Sequence, residues 1–280
     1  MAIQRTSVGK GVVGSERLVR SLRQGRYCFD NFSQEPLCWV KGSIIASTPT
    51  GPAGTDATQN CVFTGRHTFE YTFIGDNTDA FVPVLASEGG YNWGATTELL
   101  GRGLEINFGG LYAGHPRCYK SGTDEYFARI LLNIEDVSGI DLVFGFRKNE
   151  DNTNVLTNYT DVFGIQILGD SSSGLAAVNI FNILNSGTDI VTASSENLTD
   201  LTSVELEVRV KGRTARFFFD GAELSPNTSY TVDSGDVVAP FMWMTDTTDL
   251  GGAVKVLAFE CGLLDDKSEE TLYTLAGATT

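Results

Sequence analysis

Apolar and polar positions alternate in one segment after another of this chain. Over 203–212, Val204, Leu206, Val208 and Val210 fall on one side and Glu205, Glu207, Arg209 and Lys211 on the other. A period of two is the mark of a strand with one face in a core. Over 67–74, Phe69, Tyr71 and Phe73 alternate with polar residues, and over 141–148 Leu142, Phe144 and Phe146 do the same. Segment 125–135 is apolar on both faces in its middle, and 161–168, 175–184, 240–246 and 253–262 also read as strands. Clusters of Gly, Asn, Asp and Ser at 75–79, 148–154, 169–174, 194–200, 225–229 and 246–252 read as turns between them.

One stretch breaks the alternation. In 213–224 three phenylalanines stand together just ahead of Asp220-Gly221. Lys211-Gly212-Arg213 and Asp220-Gly221 predict a tight turn at each end of this strand. Such a strand lies inside a sheet, so Phe217 and Phe219 are expected to face the core. Phe218, beside Arg216, is expected on the sheet's other surface under some other piece of protein. About a dozen strands without βαβ alternation or repeats predict an all-β fold, an antiparallel two-sheet sandwich.

Helical signal is scarce; its best candidate is 15–25, where Ser15 can cap, Gly25 can terminate, and Leu18 and Leu22 share a stripe flanked by Arg17 and Arg20. The expected organisation is an N-terminal arm with a short helix (1–30), a sandwich over 31–264, and an acidic to polar tail (265–280). Whether 31–102 forms a separate lobe is left open. At 280 residues the chain can enclose a large single core.

Charge is unevenly spread. Residues 1–26 hold six basic residues against one acid, a net +5, so the remainder carries −20 of the total −15. An acidic body argues against direct nucleic-acid or membrane binding, and a basic arm suits an acidic protein surface. A merely soluble terminus explains the same arm. The five cysteines (Cys28, Cys38, Cys61, Cys118 and Cys261) lack C-x-x-C spacing. They predict free thiols in a reducing cytoplasm rather than a disulfide framework or a zinc site. No signal-peptide pattern and no run long enough to cross a membrane as a helix stand in the sequence.

The strand ending in 217–224, then 237–249 and 253–262, resembles the last third of concanavalin-like jelly-roll domains of tailed-bacteriophage virion proteins. Residues 127–149 followed by 160–168 resemble an earlier part of the same domains, so the resemblance spans about 103–262. It implies a jelly roll used as a capsid decoration or cement protein or, alternatively, as a receptor-binding tail appendage, located on the virion and made in the bacterial cytoplasm. The implied partners are the major capsid protein and neighbouring copies of this chain, with a trimer as the implied oligomer. On that reading Arg17, Leu18, Arg20, Leu22 and Arg23 of the arm and Phe218 of the body make the contacts.

Enzymatic readings find little footing. Glu205 and Glu207 share a strand face, the separation a retaining glycosidase uses, but their setting between Val and Arg/Lys predicts a solvated sheet surface. The two histidines give only isolated pairs, His67 with Cys61 and His115 with Cys118, too few for zinc. Asp- and Asn-rich loops at 75–79 and 149–154 leave calcium open without assigning it. No catalytic residue is predicted. Glycan binding is the alternative, and Tyr91, Trp93 and Trp243 are its candidate contacts, with core burial as the competing explanation for each.

Overall fold

A computed structural model describes residues 26–34, 37–40, 43–46, 60–64, 67–74, 84–86, 89–93, 103–109, 117–151, 153, 155–225, 230–246 and 254–277. In chain order the strands are β1 (Cys28–Asp30), β2 (Leu37–Val40), β3 (Ser43–Ala46), β4 (Asn60–Phe63), β5 (Thr68–Ile74), β6 (Val84–Leu85), β7 (Tyr91–Trp93), β8 (Gly103–Asn107), β9 (Tyr119–Lys120) and β10 (Tyr126–Ile134). The second half holds β11 (Ile140–Lys148), β12 (Val162–Asp170), β13 (Leu175–Ile183), β14 (Ile190–Leu198), β15 (Ser203–Lys211), β16 (Thr214–Phe219), β17 (Ala222–Glu223), β18 (Tyr230–Thr231), β19 (Val237–Asp246) and β20 (Val254–Leu263). One short helix, α1 (Leu272–Ala276), follows.

All pairings are antiparallel. One sheet runs β17-β16-β15-β10-β20-β7-β6, with β1 on β20 and β18 on β16; we call it the front sheet. The back sheet runs β14-β13-β12-β11-β19-β8-β5-β4-β2-β3, with β9 on β19. The expected all-β, antiparallel two-sheet jelly-roll sandwich is thus what the chain forms. The described strands between 37 and 93 are hydrogen-bonded into these same two sheets. Residues 28–30, assigned to an arm by their sequence, pair with Phe259–Cys261.

The core lies between the sheets, where alternation sends one residue in two. Val204, Leu206, Val208 and Val210 of β15 and Tyr126, Ala128, Ile130 and Leu132 of β10 meet Leu142, Phe144 and Phe146 of β11 and Phe163, Ile165 and Ile167 of β12. Phe217 belongs to this cluster and Phe219 packs against it. The two expected turns are present, with left-handed Gly212 (φ 62°), Asp220 (φ 46°) and Gly221 (φ 78°).

One expectation fails. The 194–200 segment, read as a turn, forms half of β14. β14 is bonded to β13 alone and its residues are mostly exposed. An edge strand outside the core has no reason to carry an apolar period.

Candidate functional site

Because β20, β10, β15 and β16 lie side by side, their outward residues form rows across the outer surface of the front sheet. One row is Glu260, Arg129, Glu207 and Phe218, each directly opposite the next. The neighbouring row places Ala258, Leu131 and Glu205 side by side. The row after that is Lys255, Asn133 and Ser203.

The first two rows are not the solvated surface that their sequence suggests. Glu205 is 5% exposed and Glu207 2% exposed. Their cover comes from the C-terminal segment, which crosses the sheet and donates to the carboxylates. The Leu272 N–H, at the start of α1, gives a 2.6 Å hydrogen bond to Glu205 Oε2. The Ser268 N–H reaches Glu260 Oε1 at 3.2 Å, and Lys267 Nζ lies 3.4 Å from Glu207 Oε1. Leu272 packs on Leu131 and Ala258. The expected loose tail is therefore, up to residue 277, a strap on the sheet.

Beneath the strap, Arg129 donates from Nε to Glu260 Oε2 at 2.5 Å and from Nη1 to Glu205 Oε1 at 3.3 Å. Tyr27 donates its hydroxyl to Glu260 Oε1 at 2.7 Å. Burial, then the Glu260 carboxylate, pushes that phenol far above its ordinary pKa. Arg209 holds Glu207 through two 2.7 Å bonds, and its guanidinium carbon lies 3.9 Å from the centre of the Phe218 ring. Every carboxylate of the row is engaged, so Glu205 and Glu207 do not form an open acid–nucleophile pair. The cover on Phe218 comes from within the chain.

The third row stays open. Asn133 and Lys255 line a cleft of about 390 Å³ together with Ser203, Leu257, Asn31, Ser33, the Gly89-Gly90 turn and Ala276-Gly277 at the end of α1. Asn133 is oriented by its Nδ2, which donates to Leu201 O at 2.8 Å and to Ser203 Oγ at 3.3 Å. Gly90 (φ +80°) presses so close to β20 that a Cβ there would meet Val256 O at 2.7 Å, which fixes a glycine at this wall. Among the described lining residues Lys255 is the one charged side chain. The described lining residues thus offer amides, two hydroxyls, glycine backbone and one ammonium, and among them is neither an acid nor an imidazole.

Of the residues singled out from sequence, Tyr91 is a core residue, fully buried against Phe32 with its hydroxyl on Gln34 O at 2.7 Å. Trp243 lies on the outer surface of the back sheet, 7% exposed within a cluster that includes Tyr159 and Phe181. Burial takes both away from any sugar. Trp93 ends β7, and its backbone pairs with Val254. Arg17, Leu18, Arg20, Leu22 and Arg23 lie outside the described residues, as does the 75–79 loop. Next to the 149–154 loop, Asp161, Asp233 and Asp236 converge within 4.8 Å. Lys148 Nζ already stands 3.4 Å from Asp161 and 3.1 Å from Asp236, so an ammonium supplies the positive charge at the cluster. His67 lies beside Cys28, with its Nε2 3.2 Å from Phe29 O, and the side chain of Cys61 lies outside the described residues. The cleft residues themselves were not singled out. Their signal was the polar Asn133 on the doubly apolar strand 125–135, legible only once strand order is known.

No family model and no curated protein sequence matches the chain. Among solved structures it is similar to the Emp47p carbohydrate recognition domain, with 7% identity and TM-score 0.46 over 69% of this chain and 88% of that one. It is also similar to the VIP36 exoplasmic/lumenal domain in its Ca²⁺/Man3GlcNAc-bound form, with 11% identity and TM-score 0.44 over 72% and 85%. A third is alginate lyase AlgAT5 of polysaccharide lyase family 7, with 13% identity and TM-score 0.42 over 66% and 84%. All three superpositions score below one half. The sheet pairing of this chain makes it an all-β, antiparallel two-sheet jelly-roll sandwich.

Proposed function

We propose that the protein is a non-catalytic saccharide-binding module and that the cleft at the end of the front sheet is its site. The observation that supports this reading is the row Ser203–Asn133–Lys255, held in fixed register by three paired strands and left uncovered by the strap. Amide, hydroxyl and backbone groups in a preformed concavity suit the dense hydroxyl pattern of a sugar. The described lining residues include neither an acid nor an imidazole, which supports a binding role for the site.

Lys255 biases the site toward carboxylated sugars. An ammonium inside a cleft gives a charge-assisted bond to a uronate, about twice as strong as a neutral one. On a virion, this function makes the module an appendage engaging cell-surface polysaccharide, rather than cement between shell subunits. Supporting that choice, Phe218 is sealed under Arg209 and offers no free aromatic to a neighbouring subunit.

Titration calorimetry of the full chain against oligouronates and matched neutral oligosaccharides tests the proposal. Acidic oligomers should bind more tightly. Lys255→Met should erase that preference at a cost of about 1.5–3 kcal/mol, roughly tenfold or more in Kd. Asn133→Leu should weaken acidic and neutral sugars alike. Binding that is untouched by both substitutions, or no heat with any saccharide, would refute the assignment.

A further inference from the structure

The front sheet contains a feature that the saccharide reading does not use. Cys28 of β1 and Cys261 of β20 are directly opposed in an antiparallel pair. Both point inward, both are fully buried, and both belong to the main core cluster. Opposed residues in an antiparallel ladder have Cα atoms about 4.5–5.5 Å apart, inside the roughly 4.4–6.8 Å span that a disulfide bridges. The two thiols lie close enough to shift each other's pKa. Backbone register and side-chain direction therefore both favour a bond that the free thiols have not formed.

The surroundings are chemically unequal. Arg117 Nη1 lies 3.6 Å from Cys28 Sγ, and the His67 ring approaches the same sulfur. Burial, then donation to the Cys261 sulfur, pushes the Cys28 thiol well above its ordinary pKa. Burial also opposes charge on Cys261, yet the Cys28 thiol and the Arg117 guanidinium, with the Tyr119 hydroxyl beside the sulfur, outweigh it and bring that pKa below the ordinary value. The Arg117 guanidinium beside the pair favours a thiolate within it, the form that attacks a disulfide.

We propose that Cys28 and Cys261 form a two-cysteine oxidation site that closes to a cross-strand disulfide when the chain meets a disulfide oxidant such as oxidised glutathione. One cysteine of the pair, as its thiolate, attacks the oxidant's S–S bond, forming a mixed disulfide and releasing one glutathione thiolate. The other then attacks that cysteine's sulfur and expels the second glutathione thiolate. Two S–H bonds of the protein are lost, one S–S bond is formed, and two electrons and two protons end on two molecules of glutathione. Access comes through β1, a three-residue edge strand whose ladder among the described residues is with β20; its opening breaks that ladder and the bonds of Thr64 to Asp30 and of His67 to Phe29 O, and leaves the β10–β20 ladder in place. The bond would tie the first described strand to the last and restrict nearly the whole unfolded chain, so it should stabilise the fold.

The test is to refold the full chain from urea in reduced and oxidised glutathione, alkylate the remaining thiols, and map the disulfide peptides. The expected result is a mass lower by two hydrogens, a crosslinked peptide containing Cys28 and Cys261, and a higher urea midpoint that returns to the reduced value with dithiothreitol. Cys28→Ala and Cys261→Ala should each lose the crosslink. If either variant fails to fold, the wild-type peptide map decides alone. Intact thiols under these conditions, a stable glutathione adduct, or a bond to Cys38, Cys61 or Cys118 would overturn the proposal. None of these outcomes depends on whether a sugar binds.

Discussion

Arg129 shows how much one side chain can set. It is 1% exposed and stands between Glu260 and Glu205 under the strap. Removing one partner of a buried ion pair leaves the others charged and without water. Arg129→Met should therefore lower stability by about 3–5 kcal/mol, read as a fall in the urea midpoint. A loss below one kcal/mol would mean that the carboxylates find water once the guanidinium is gone. Asp141 presents the opposite case. Burial raises its pKa, against a 2.8 Å hydrogen bond from Gln166 Nε2 that lowers it. A carboxyl whose folded pKa lies above its unfolded one binds more protons in the folded state, so its contribution falls as pH rises through that window. Asp141→Asn keeps an acceptor for Gln166 and removes the charge. It should raise the melting temperature at pH 7 and lose that advantage at pH 3.

At the scale of elements, the strap is the decisive piece. α1 is five residues long, far too short to persist alone, and Thr271 caps it by accepting from Thr274 N. Its stability comes from the contact of Leu272 with Leu131 and Ala258 and from the Glu205 carboxylate at its N-terminus. Leu272→Asp puts a second carboxylate beside Glu205 and removes the apolar anchor. We expect amide exchange across 264–277 to accelerate by at least about tenfold while the β15–β16 ladder stays protected, in line with the separate opening of local units. Uniform acceleration through both sheets would show that the strap is an integral part of the cooperative fold. The strands were legible where one face meets the core, because burial enforces period two. β14 was not, because an edge strand exposed on both sides carries no such constraint.

For the whole molecule, the sequence contains the sandwich but not the meaning of its outer faces. Glu205 and Glu207 alternate as a solvated strand would, and only the arrival of residues 264–277, far along the chain, buries them. The back sheet repeats the pattern. Arg147 is fully buried, bonded to Glu105 Oε1 at 2.7 Å, while Tyr159 donates to the other oxygen of that carboxylate. Each sheet thus hides one guanidinium beneath covering chain on its outer side. No local pattern distinguishes such a residue from an exposed one. The candidate cleft was equally invisible, since Asn133, Ser203 and Lys255 become neighbours only through the order β15-β10-β20.

That the last helix of the described chain lies on the front sheet has a consequence for how the molecule can be joined to anything else. Asn31, just after the first strand, and Gly277, just after the last helix, border the same cleft. Arg26, where the described chain begins, bonds Asp124 and accepts the Tyr119 hydroxyl on its carbonyl, and neither residue lines the cleft; the end that reaches the opening is Gly277. A carrier attached there will crowd the cleft or help to shape it, according to the length of the first few residues of linker.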